Sequence, residues 1–153
     1  MKSIIAKALL LVLSAAALSS FSPNFGGEGF EISLNGKVIL QQFGKDLNTV
    51  KTLQLDAAVP NSKLAIRYYH CGRVGKNRVV TIKDGQDNLL KEWRFADVDA
   101  PVAEMSCYVS DIPALKKANN VLKIFYSSTE LPNGRQLATL VTANNAVAGR
   151  IGN

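Results

Sequence analysis

The sequence predicts an all-β protein: a single antiparallel β-sandwich, jelly-roll-like, with eight or nine short strands and one short helical turn. Apolar and polar residues alternate in at least six short segments of the chain. Turn signals rich in glycine, proline, asparagine and aspartate separate these segments. After residue 20 no long segment shows a helical apolar period, so the core is expected to be built from strands.

The first four strands follow from the alternation. Phe30 to Leu34 and Lys37 to Phe43 flank Asn35-Gly36, a dipeptide that favours a two-residue hairpin because both central residues of a type I′ turn have positive φ. Val50 to Asp56 predicts the third strand, and Lys63 to His70 predicts the fourth.

The second half of the chain continues in the same style. Strands are predicted over Arg78–Lys83, Leu89–Phe95, Ala103–Val109, Val121–Ser127 and Arg135–Thr142, with a helical turn over Ser110–Ala118 and a tight turn at Pro132-Asn133-Gly134. The inward positions expected in the core are Ile32, Leu34, Leu53, Leu55, Ile66, Tyr68, Trp93, Leu122 and Ile124.

Two stretches resemble galactose-binding-like jelly-roll domains. Leu34-Asn35-Gly36-Lys37-Val38 is similar to a hairpin of that family. Asp111 to Lys117, followed by Asn120 to Ile124, is similar to its helical turn and the next strand, although the two stretches lie farther apart here than in the family. The resemblance implies the architecture and assigns no sugar-binding residue. The overall pattern is also similar to small secreted bacterial proteins of unknown function.

Residues 1–20 predict a secretory signal peptide. Lys2 and Lys7 precede a short apolar run, Ala8 to Leu13, and small residues follow it. The run is shorter than the about 20 residues of a membrane span, although a retained signal anchor is the alternative. We expect an exported protein, periplasmic or secreted, without a transmembrane segment after signal removal. Residues 21–153 then form a single β-sandwich domain with a loose C-terminal tail from about residue 143.

Cys71 and Cys107 are the two cysteines of the chain. In an exported protein an even number of cysteines favours a disulfide, so a Cys71–Cys107 bridge is predicted. Two free buried thiols are the alternative. A metal site built from these cysteines and His70 lacks the usual four ligands, so no metal is predicted.

The sequence contains few groups for catalysis. His70 is the single histidine, and neither Gly-x-Ser-x-Gly nor His-Glu-x-x-His occurs. Asp84, Asp87 and Asn88 have the oxygen ligands that suit calcium, but the same residue types also favour turns. We therefore expect no enzyme and no cofactor, with a hydrolase as a less favoured alternative.

The basic residues are unevenly distributed. The chain has 18 Lys and Arg residues against 12 Asp and Glu, and the segment from Lys63 to Arg78 contains no acidic residue. Aromatic and arginine side chains dominate binding hot spots. The candidate ligand-binding residues are Arg67, Tyr69, His70, Arg73, Lys76 and Arg78.

These residues predict an exported, non-catalytic binding module for a protein or glycan ligand, with no specific nucleic acid partner. The alternative is a binder of anionic polymer or membrane surface through the basic 63–78 segment. A solvated basic edge that discourages aggregation explains the segment equally well. Under all three interpretations, replacement of Arg73, Lys76 and Arg78 by serine is expected to leave stability nearly unchanged.

Overall fold

The computed structural model describes residues 27–55, 61–113, 115 and 121–142. The predicted signal peptide and the predicted tail from about residue 143 lie outside these residues. The described part is mostly β, with nine strands. In chain order they are β1 (Glu28–Leu34), β2 (Lys37–Phe43), β3 (Lys51–Leu55), β4 (Lys63–His70), β5 (Arg78–Lys83), β6 (Leu89–Phe95), β7 (Met105–Tyr108), β8 (Leu122–Ser128) and β9 (Leu131–Thr142).

The strands form two sheets. A four-stranded antiparallel sheet has the order β2-β1-β4-β7, and a five-stranded sheet has the order β3-β9-β8-β5-β6. The five-stranded sheet is mixed, because β3 pairs with β9 in parallel, with Lys51 opposite Ala138. The prediction of purely antiparallel pairing is therefore wrong at this edge. Strand β2 belongs to one sheet and β3 to the other, so β3 enters the second sheet by a crossover and not by a hairpin.

One apolar core lies between the two sheets. Its buried residues come from both sheets, and the rings of Tyr68 in β4 and Tyr126 in β8 stack at a centroid distance of 4.4 Å. The expected core positions that are confirmed as buried are Ile32, Leu53, Leu55, Ile66, Tyr68, Leu122 and Ile124. Leu34, at the end of β1, and Trp93, on the edge strand β6, are only partly buried against this core.

The helical content of the described chain is small. Two 3-10 helices occur there, over Gly44–Asn48 and Val109–Asp111. The second replaces the start of the helical turn predicted over Ser110–Ala118, and most of the remainder lies outside the described residues. None of the described helices has the length and hydropathy needed to span a membrane.

The last hairpin turns earlier than predicted. Ser128 pairs with Leu131, so the chain reverses at residues 129–130. Pro132-Asn133-Gly134 lies inside β9. The register between β8 and β9 shifts at this point, between the pairs that Tyr126 and Ser128 of β8 form with β9. Gly134 has φ +67°, a backbone conformation that strongly favours glycine. The predicted turn is thus a bulge in β9.

The predicted disulfide is absent, since Cys71 and Cys107 are both free. Cys107 lies opposite Leu64, near the start of β4, whereas Cys71 follows His70, the last residue of that strand. A strand rises about 3.3 Å per residue, which places the two cysteines about 23 Å apart along β4. A disulfide needs Cα atoms within about 7 Å. Cys107 thus lies in β7 beside the start of β4, whereas Cys71 follows the end of β4.

Candidate functional site

The structure separates the six predicted binding residues into different environments. Arg67 and Tyr69 lie on the outer face of the four-stranded sheet, and both are engaged there. A guanidinium nitrogen of Arg67 lies 3.1 Å from Oε2 of Glu104. The hydroxyl of Tyr69 donates to Oε2 of Glu31 at 3.0 Å, and its ring packs against that of Phe43 at 5.3 Å. Tyr69 is half-buried rather than freely exposed.

Arg78 is a structural residue. Its exposed fraction is 5%, and its guanidinium donates to the carbonyls of Ala96 at 2.6 Å and Ala103 at 3.3 Å. These bonds tie the start of β5 to the segment between β6 and β7. Arg78 therefore offers little surface to a ligand, and its predicted role in binding stays a prediction.

His70 and Arg73 instead lie at one end of the two-sheet core, in a cavity of about 220 Å³. Glu28, the first residue of β1, pairs with His70, the last residue of β4, and the β8–β9 turn lies across from them in the other sheet. We call this cavity the end pocket. Its lining residues are Glu28, His70, Cys71, Arg73, Glu130, Leu131 and Arg135.

His70 forms the buried side of the end pocket, and its ring is hydrogen-bonded there. Nε2 of His70 and the hydroxyl oxygen of Tyr126 lie 2.8 Å apart in a hydrogen bond, and Oγ of Ser128 lies 3.4 Å from the same nitrogen. Burial lowers the pKa of His70 and raises the pKa of Tyr126, so both rings are neutral at pH 7. The backbone passes this pair closely at Gly75, where an added Cβ would lie 3.0 Å from both polar atoms.

A carboxylate links the two sheets beside the histidine. Oε1 of Glu28 accepts a hydrogen bond from the hydroxyl of Tyr68 at 2.5 Å and lies 3.2 Å from a guanidinium nitrogen of Arg135. Burial and the bond to Glu28 raise the pKa of Tyr68, which keeps this phenol protonated as a donor. Glu28 and Tyr68 belong to the four-stranded sheet and Arg135 to the five-stranded sheet, so the contact closes this end of the core.

At the rim of the end pocket, the carboxylate of Glu130 is hydrogen-bonded within the fold, whereas the guanidinium of Arg73 has no partner among the described residues. Oε2 of Glu130 accepts the backbone N–H of Lys76 at 2.9 Å. Burial alone raises the pKa of Glu130, but its hydrogen bonds outweigh burial and the pKa is lowered. Arg73 is exposed, and its backbone N–H bonds to the carbonyl of His70 at 3.2 Å. Among the described residues, its guanidinium has neither an ion pair nor a hydrogen bond.

The remaining predicted groups do not assemble a reactive centre in the described chain. Cys71 is exposed, with φ +53°, and makes no hydrogen bond to His70 there. Lys76 extends toward Asp99, with 3.9 Å between the charged atoms. No group of three His, Cys, Asp or Glu residues with metal-binding geometry occurs among the described residues.

The turn formed by residues 84–88, which contains oxygen ligands that suit calcium, is closed by its own hydrogen bonds. Oδ1 of Asp84 accepts the backbone N–H groups of Gln86 and Asn88, and Oδ2 accepts the side-chain amide of Asn88. Asp87 forms an ion pair with Lys123 at 2.8 Å. These contacts agree with the turn preference of the residues.

A second cavity, of about 410 Å³, lies on the outer face of the five-stranded sheet. Phe125 lies in its lining, half-buried, with the ammonium of Lys83 4.6 Å from the ring centroid. The sequence offered a signal for this site, because inward Ile124 and Tyr126 place Phe125 on the opposite face. We call the cavity the outer groove, lined by Thr81, Lys83, Asp87, Leu89, Glu92, Phe125, Tyr126, Ser127, Pro132, Asn133 and Gly134.

Comparisons with known proteins add no relative. No family model matches the chain, and no curated protein matches it significantly. The similarity to galactose-binding-like domains therefore stays a prediction.

Proposed function

We propose that this protein is an exported, non-catalytic binding module that holds an acidic sugar residue of a glycan in its end pocket. The proposal depends on one observation: the guanidinium of Arg73 has no ion pair and no hydrogen bond among the described residues. The other charged side chains of the pocket, Glu28, Glu130 and Arg135, are engaged within the fold. Arg73 is left to pair with a ligand carboxylate, and guanidinium–carboxylate pairs are among the strong charge-assisted contacts.

The size and lining of the pocket favour a sugar. At about 220 Å³, the end pocket is smaller than the usual ligand sites of about 300–1,000 Å³, so it suits one unit of a chain. Leu131 is the main apolar side chain in the lining. The contacts of Glu28 within the fold are made by Oε1, which leaves Oε2 as an acceptor for a sugar hydroxyl. An apolar peptide side chain would find little surface to pack against.

The engagement of His70 supports a binding role over hydrolysis. Its Nε2 is held by the hydroxyls of Tyr126 and Ser128, and both of these residues are buried, with exposed fractions of 0% and 5%, so neither hydroxyl is open to a ligand. A general base needs a hydrogen bond to the group that it activates. We further propose that the two sheets form a jelly roll and that this fold is related to the galactose-binding-like domains.

The ion pairs weaken the alternative of an anionic polymer or membrane bound through the 63–78 segment. Lys63 and Arg67 both contact Glu104, at 2.9 and 3.1 Å, and Arg78 is buried. Lys76 lies 3.9 Å from Asp99, so within the described chain Arg73 is the one cation of this segment that has no acidic partner and is not buried. A steep salt dependence of binding is therefore unexpected.

Export is tested by N-terminal sequencing of the protein from the periplasm or culture medium. The mature chain is expected to begin between Leu18 and Phe21. A cytoplasmic protein that still begins at Met1 would remove export from the proposal.

Binding is tested by calorimetry with an oligogalacturonate and with its methyl ester, which differ in the ligand charge. We expect the acid to bind and the ester to bind much more weakly. Arg73→Ser is expected to weaken binding about 10- to 100-fold, the equivalent of one charge-assisted hydrogen bond. Arg67→Ser is the matched control, because Arg67 lies on the outer sheet face. Equal affinity for acid and ester, or unchanged binding by Arg73→Ser, contradicts the proposal.

A further inference from the structure

We propose a second binding site: the outer groove holds a neutral saccharide chain, with the ring of Phe125 as its platform. The groove lies on the outer face of the five-stranded sheet, whereas the end pocket lies between the sheets, so this proposal stands independently of the first.

Strand pairing places suitable side chains in a row across the groove. Phe125 of β8 pairs with Thr81 of β5, and Thr81 pairs with Glu92 of β6. Directly paired residues share a sheet face, and strands lie about 4.8 Å apart, so the row spans about 10 Å, close to the span of two linked sugar rings. The cavity volume of about 410 Å³ is within the usual range of ligand sites.

Both carboxylates that line the groove are paired with cations. Asp87 contacts Lys123 at 2.8 Å, and Glu92 contacts Arg94 at 2.7 Å. Within the described chain the partner of the Lys83 ammonium is the Phe125 ring. With a single ammonium left without an opposite charge, the groove attracts an anionic polymer only weakly, and it matches a neutral ligand better.

The chemistry of the lining indicates sugar. An aromatic ring has a negative face, which suits the polarised C–H groups of a sugar ring as well as a cation. Lys83 is the flexible occupant of that face, and its ammonium is a hydrogen-bond donor for a sugar hydroxyl once the ring is covered. Thr81, Ser127 and Asn133 line the same cavity and supply hydroxyl and amide groups for further hydroxyls.

A protein strand fits this surface less well. The backbone groups of β5 and β8 are already paired with neighbouring strands on both sides. Strand β6 is an edge strand, but its unpaired side faces away from β5 and β8, so a strand added there would not cover the Phe125 ring. The surface offers side chains only, and these are mostly polar.

The test is calorimetric titration of the full mature protein with cellohexaose, xylohexaose, maltohexaose and mannohexaose. At least one is expected to bind. Phe125→Leu keeps an apolar side chain but lacks the flat ring, and it is expected to weaken that binding at least tenfold. Tyr108→Leu is the matched control, because Tyr108 is an exposed aromatic residue on β7 of the other sheet.

Two further comparisons make the result decisive. Thr81→Val removes a hydroxyl while keeping a strand-favouring side chain, and it is expected to weaken binding even if Phe125→Leu proves unstable. Arg73→Ser is expected to leave neutral-sugar binding unchanged, which separates this site from the end pocket. Lack of binding to all four oligosaccharides, or equal binding by the wild type, Phe125→Leu and Thr81→Val, overturns the proposal.

Discussion

Arg78 provides the sharpest test of the structure, because the sequence pattern and the fold give opposite expectations for it. Its position in a basic segment suggests a surface residue whose replacement is harmless. In the structure it is buried and holds two backbone carbonyls. We expect Arg78→Ser to lower the free energy of unfolding by about 3 kcal/mol.

The magnitude follows from the geometry of the side chain. The bond to Ala96, at 2.6 Å, is short and the bond to Ala103, at 3.3 Å, is long. Charge-assisted hydrogen bonds contribute about 1.5–3 kcal/mol each, so the two together stabilise the fold by about 4.5 kcal/mol. Nε of Arg78 is buried without a partner in the described chain. This unsatisfied donor reduces the stabilisation by about 1–2 kcal/mol, which leaves about 3 kcal/mol.

Urea unfolding followed by circular dichroism measures this difference. Arg73→Ser serves as the control, and its effect is expected to stay within about 0.5 kcal/mol because Arg73 is exposed and unpaired. Arg78→Lys keeps the charge but not the planar fork, so it should recover only part of the loss. If Arg78→Ser is as stable as the control variant, the assigned hydrogen bonds do not stabilise the fold.

Three further predictions concern the thiols, the histidine and a glycine. Without reductant, mass spectrometry should find both cysteines as free thiols, with Cys71 alkylated fast and Cys107 slowly, because burial raises the pKa of Cys107 to about 11; a linked peptide pair would refute the separation. Burial lowers the pKa of His70 below its ordinary 6.5, so the unfolded state binds a proton that the folded state does not. The free energy of unfolding of the wild type should therefore fall as the pH drops from about 6.5 to the lower pKa of His70 in the folded state. In urea unfolding, His70→Gln should not show this decrease. Gly75→Ala should cost about 1–2 kcal/mol in urea unfolding, since the added Cβ crowds His70; wild-type stability for that variant would contradict the close approach.

Much of the local structure was determined by the sequence itself. The alternation of apolar and polar residues predicted β2, β4, β5 and β6 with the bounds that the structure has. Seven of the nine core positions expected from it are buried, because a period of two fixes which side chains share a sheet face. The hairpin at Asn35-Gly36 followed from local backbone preference, and both residues do have positive φ.

The tertiary structure decided which faces and strand ends meet. The pairing of β3 with β9, the separation of Cys71 from Cys107 and the contact of Glu28 with Arg135 all depend on partners far away in the sequence. A local pattern states that a residue faces inward or outward, but it carries no information on the opposing strand. Arg78 and Phe125 show the consequence: an arginine became structural and an unremarked phenylalanine came to line a cavity, because burial is determined by the packing of the whole chain.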